Sequence, residues 1–173
     1  MTPAHSSEKI DQLIHRLHAE QERVREAIRR DDIPAANRHL MKAWRAIKDA
    51  AATGPRGRDS IEKLLTSPLA DIRLRAAEAA INWAPDLAVP VFGLLLFENL
   101  GEEVSADERL EIRTAAKLML YKYFNMRSYD RNELIEPLRA YGVDLPYFDH
   151  EKWQRGEIPT LPNRNKGDSE RHE

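Results

Sequence analysis

The residues best placed to do chemistry are His15, His18 and Glu22, spaced three and then four apart. On a helix that spacing puts an imidazole pair and a carboxylate along one side, the beginning of a metal face. A tetrahedral zinc site needs four ligands, and no other His or Cys cluster completes one. His15 falls on the solvent side and His18 at the edge of an apolar stripe, so these are read as surface histidines. No metal and no cofactor is expected. Ser, His and Asp are all present, but no nucleophile-elbow sequence surrounds a serine. Gly54-Pro55-Arg56-Gly57 is too short for a phosphate loop and follows no strand, so it reads as a turn. The absence of cysteine removes thiolate catalysis, disulfides and Cys-based metal sites. No catalytic residue is assigned, and the chain is read as a non-enzyme.

Charge gives the remaining candidates. Glu102, Glu103, Asp107, Glu108 and Glu111 form an acidic run at a loop and helix start. Acids there favour the helix dipole by roughly 0.3–1 kcal/mol each. They also make a negative patch that would steer a basic protein partner. These five are the expected partner-binding residues. Arg56, Arg58, Arg73 and Arg75 form a basic counterpart around a loop and turn, with Arg73 expected to pair with Asp71, Glu78 or a helix end. The net charge of −2 over 173 residues argues against wholesale nucleic-acid binding. Tyr147, Phe148 and Trp153 are apolar enough to dock on the body or to anchor a partner.

The elements that must position these residues are helical. Hydrophobic residues make up 42% and charged residues 32%, with only 7 Gly, which favours helix with a solvated surface. Ile10, Leu13, Ile14, Leu17, Val24 and Ile28 recur at helical spacing, predicting a first helix over about 7–30, capped by Ser6 or Ser7. Its outer face carries Arg16, Arg23 and Arg30 among Glu20, Glu22 and Glu26. Asp31-Asp32-Ile33-Pro34 starts a second helix to about 52, burying Leu40, Met41, Ala43, Trp44 and Ile47. A loop over 53–57 leads to a short helix over 59–66. Ser67-Pro68 then turns into an alanine-lined helix ending near Trp83. The next helix, about 85–99, is apolar on most sides and is expected to be the most buried. Ser105 with Glu108 forms a capping box for a helix to about 124, with Leu110, Ile112, Leu118 and Tyr123 on its apolar side. Asp130 with Glu133 opens a last helix, which Gly142 stops.

Leu74-Arg75-Ala76-Ala77-Glu78-Ala79-Ala80 is echoed by Ile112-Arg113-Thr114-Ala115-Ala116-Lys117-Leu118, a separation of 38 residues. A period near 40 matches a HEAT-type helical pair. Asp71-Ile72-Arg73 followed by Ala76-Ala77 resembles the second helix of a HEAT repeat. A long N-terminal hairpin, a Gly-Pro-Arg-Gly loop, a short helix and then Ser-Pro with the Arg/Ala helix is similar to a family of small bacterial HEAT-like proteins of unknown function. The likeness spans roughly residues 8–124. It implies an all-α fold, a short right-handed HEAT-like stack of six or seven helices, and carries no site with it. The expected organisation is one domain over 1–142 and an extension over 143–173, docked at first and then mobile.

Helical stacks of this kind mostly bind other macromolecules. The expected function is a protein-binding module, most specifically an immunity protein that occludes a basic bacterial toxin. The alternatives are a helical enzyme or ligand-binding domain with an interhelical pocket, and a subunit that self-associates through the 87–97 helix. No signal peptide or membrane-spanning run is read, and the expected compartment is the cytoplasm.

Overall fold

A computed structural model describes residues 3–101, 104–128, 130–151 and 155. The chain is all-α: seven α-helices and one 3₁₀ turn, with no strand among the described residues. The helices are α1 (Pro3–Arg29), α2 (Ile33–Ala52), α3 (Pro55–Leu64), α4 (Ala70–Ala80), α5 (Pro85–Leu95), α6 (Ala106–Tyr123) and α7 (Ile135–Arg139), the last preceded by the 3₁₀ turn Arg131–Leu134.

The first hairpin is set by local chemistry. Asp31 turns the chain at φ 57°, and the Asp32 carboxylate accepts from the Ala35 amide at 2.9 Å, with Pro34 in the first turn of α2. Helix α1 begins earlier than its stripe predicts and runs through Ser6 and Ser7, so neither serine caps it. Met41 is 64% exposed rather than buried, because Ala36, Ala43, Ala46, Ile47 and Ala50 form the inner stripe of α2. Glu20, expected on the solvent face, is buried. It accepts from Arg23 at 2.7 Å and lies 2.7 Å from His39 Nδ1, tying α1 to α2.

The expected 53–57 loop shrinks to a corner. Gly54 takes φ 95° and Pro55 starts α3 at once. A Cβ on Gly57 would lie 1.9 Å from the Ala50 carbonyl oxygen, so only glycine lets α3 start against the end of α2.

The most buried helix is α4 rather than α5. Nine of the eleven α4 residues are buried, against five of eleven in α5. Alanines at 76, 77, 79 and 80 let α1, α2, α3, α5 and α6 all approach α4. The bulkier α5 reaches the surface at Leu87 and Leu94. The echo between 74–80 and 112–118 does not extend to packing. Ala80 is fully enclosed, whereas its counterpart Leu118 is 49% exposed. Leu110 and Tyr123, also expected inside, face solvent as well.

Helix α6 starts with both halves of the capping box, Glu108 N to Ser105 Oγ and Ser105 N to Glu108 Oε2. Gly142 closes α7 at φ 74°. Val143 and Leu145 then enter the core, Val143 against Gly93 of α5. The Asn132 side chain clasps the backbone of Phe148 through both its oxygen and its nitrogen. Tyr147 is 73% exposed, and Trp153 lies outside the described residues.

Candidate functional site

A cleft of about 260 Å³ opens where the C-terminal half of α1, the turn into α4 and the start of α6 meet. It exists because of three local choices. The 67–69 turn brings Leu69 and Ala70 under α1. The alanines of α4 hold that helix low in the core. The capping box fixes where α6 begins and so places Glu108 and Glu111 opposite α1.

Charged side chains line it in a definite pattern. Arg25 donates through Nη1 to both oxygens of Asp71, at 3.0 and 2.9 Å, and through Nη2 to Glu22 at 2.5 Å. Gln21 Nε2 donates to Asp71 at 3.3 Å, and Arg29 reaches Glu22 at 3.4 Å. Arg75 is buried and donates to the buried Glu78 at 2.6 Å. Burial works against the charge on Arg25, but the Glu22 hydrogen bond and the carboxylates of Asp71, Glu22 and Glu108 outweigh it and hold the group above its ordinary value. Burial raises Glu78 against the opposing pull of Arg75.

The three cleft guanidiniums, Arg25, Arg29 and Arg75, are therefore committed to Glu22, Asp71 and Glu78. Two lining carboxylates are left over. Glu108 is 6% exposed; one oxygen serves the capping box and the other, Oε1, has no hydrogen-bond partner. Glu111 is exposed and forms no ion pair among the described residues. Gln21 Oε1 and Arg75 Nε, on the same cleft residues, are also buried without a partner. Buried polar atoms are satisfied in the great majority of cases, so three on residues that line one cleft, from α1, α4 and α6, mark the place.

Of the five expected partner-binding acids, Glu108 and Glu111 line this cleft, and Asp107 is exposed beside them on α6. Glu102 and Glu103 lie outside the described residues. Three of the four arginines of the expected basic cluster, Arg58, Arg73 and Arg75, turn to different places. Arg58 stacks over Trp83 with its guanidinium 5.4 Å from the ring centroid, and Arg75 takes Glu78. Arg73 pairs with Glu98 and donates to the Ser67 carbonyl at 2.8 Å, so neither Asp71 nor Glu78 is its partner. His15 is exposed and His18 half-buried, while Glu22 is taken up by Arg25 and Arg29. Among the described residues no three His, Asp or Glu side chains gather to hold a metal.

Gln21, Arg25 and Asp71 were not singled out by sequence as site residues. The available signal was Gln21 itself, an uncharged polar residue on the buried side of an otherwise charged helix.

No protein-family model, curated protein or solved structure matches this chain. Among the described residues no helix is long and apolar enough to cross a membrane.

Proposed function

We propose that this chain is a non-catalytic protein-binding module whose docking surface is the mouth of the α1–α4–α6 cleft together with the acidic start of α6. Its most specific form is an immunity protein that neutralises a bacterial toxin by steric occlusion. The observation that supports this is a concave cleft with carboxylates on its wall and at its rim. Glu111 and the neighbouring Asp107 are exposed with no arginine or lysine in an ion pair with them among the described residues, and the buried Glu108 lines the wall beside them. A basic partner surface complements that field, gaining association rate and specificity from it.

The test is co-expression with the product of the gene adjacent to its own. The expected result is a complex that weakens with salt, growth protection, and loss of both in the pair Asp107→Lys, Glu111→Lys. A neighbour that is not toxic, or a toxin that binds no more weakly at high salt, overturns the immunity reading. Unchanged binding by the double variant removes the acidic patch from it.

A second reading has its own support. Three buried polar atoms without partners around one cavity are what an interhelical small-ligand site offers. A melting-temperature rise with small polar compounds, in a chain that gives no protection, would favour that reading over the first.

A further inference from the structure

We propose that the cleft receives a single arginine side chain from a basic segment of the protein partner, with Glu108 as its counter-ion. This rests on reading the cleft as part of a docking surface. Size is the first argument. At about 260 Å³ the cleft falls below the roughly 300–1,000 Å³ of pockets that take drug-sized ligands. One long side chain fills such a space; a nucleotide or extended cofactor does not.

Charge is the second argument. Glu22, Asp71, Glu108 and Glu111 line the cleft against Arg25, Arg29 and Arg75. The three bases are each held by a carboxylate at 3.4 Å or less, and Arg75 takes its carboxylate from Glu78, outside the lining. What remains unpaired on the wall is Glu108 and Glu111, so the vacancy in the network is cationic. An anion would find one unpartnered donor, Arg75 Nε, and would otherwise have to displace Glu22 or Asp71 from Arg25 or Arg29.

Hydrogen-bond inventory is the third argument. The unpartnered atoms of the lining residues are two acceptors, Gln21 Oε1 on α1 and Glu108 Oε1 on α6, and one donor, Arg75 Nε on α4, so acceptors are in excess. A guanidinium spreads five donors in a planar fork and can serve both acceptors together, whereas an ammonium is a compact point charge. Val24, Ile28, Leu69 and Ile112 supply apolar wall for the methylene stem.

The probe is N-acetyl-arginine amide, titrated into the full-length chain and followed by NMR at the Gln21 side-chain amide and the backbone amides of 105–112. The expected result is saturable shifts with a Kd of about millimolar, as befits a ligand of this size. N-acetyl-citrulline amide, the same shape without charge, should bind about tenfold or more weakly. Glu108→Gln keeps an oxygen for the capping box and so keeps α6; it should lose about tenfold in arginine affinity while the melting curve stays cooperative. Equal binding of the citrulline and arginine probes, no shift with either, or shifts with inorganic phosphate alone each overturn the proposal. The two readings separate cleanly. Arginine binding without protection by the whole chain leaves this inference standing and removes immunity. Protection that survives Glu108→Gln, with no arginine shift, does the reverse.

Discussion

Arg75 and Glu78 form a buried ion pair one helical turn apart, in the helix that α1, α2, α3, α5 and α6 all touch. Two charges taken out of water gain little net stability from each other, but one left alone is expensive. Arg75→Met should therefore cost about 3–5 kcal/mol, and adding Glu78→Met should return most of it, as read by urea unfolding of the two variants. If the single variant is as stable as the double, the pair is not buried as described. His18 gives a second expectation at this scale. Burial lowers its pKa from 6.5, Asp71 pulls it back up, and Arg25 and His15 push it down again. The unfolded chain then takes a proton before the folded one does. Stability is full above the ordinary histidine value and declines as pH falls through it. His18→Gln should flatten that decline, measured as the urea midpoint at about pH 7.5 and about pH 5.5. Little of this was legible in the sequence. Glu20 and Gln21 sit among charged residues on α1, and only their partners explain them: His39, 19 residues on, and Asp71, 50 residues on. Patterning reads the face of a helix, not the polar atom that meets it from another element.

Helix boundaries were legible where a boundary is written in neighbouring residues. Asp32 with Pro34, Ser105 with Glu108, and Gly142 each act within three residues of themselves, and all three do what local chemistry dictates. Burial rank was not legible, because it depends on who comes near. Helix α5 has the more apolar composition, yet α4 is the enclosed one, since alanine admits neighbours that leucine holds off. The same contrast makes Gly57 decisive for how α3 meets α2. Gly57→Ala sets a methyl group 1.9 Å from the Ala50 carbonyl oxygen, which is backbone and cannot step aside. The two helices must part, at a cost of about 1–3 kcal/mol, seen as a fall in the denaturation midpoint with an unchanged slope. Gly54→Ala would strain a φ of 95° in otherwise open space, so the two variants separate backbone strain from collision.

Among the described residues the fold is held together as far along the chain as Leu145. Leu145 is 2% exposed, and Val143 meets both Gly93 and Leu138, so the segment after Gly142 is built into the core. Leu145→Ala should cost about 2–5 kcal/mol in equilibrium unfolding, the range for a large core side chain truncated to alanine. A loss within experimental error would mean that this segment only rests on the surface. The cleft is equally non-local. Gln21 and Asp71 stand 50 residues apart, and Glu108 lies further still along the chain, so no isolated helix carries the constellation. A compound that recognises it recognises the native chain and ignores the unfolded one. Each such compound must then shift the folding equilibrium by RT ln(1 + [L]/Kd), which amounts to about 2.7 kcal/mol at a hundredfold excess over Kd. Thermal denaturation in the presence of a compound library thus becomes an assay for whatever the cleft receives: the chain's own melting point is the reporter.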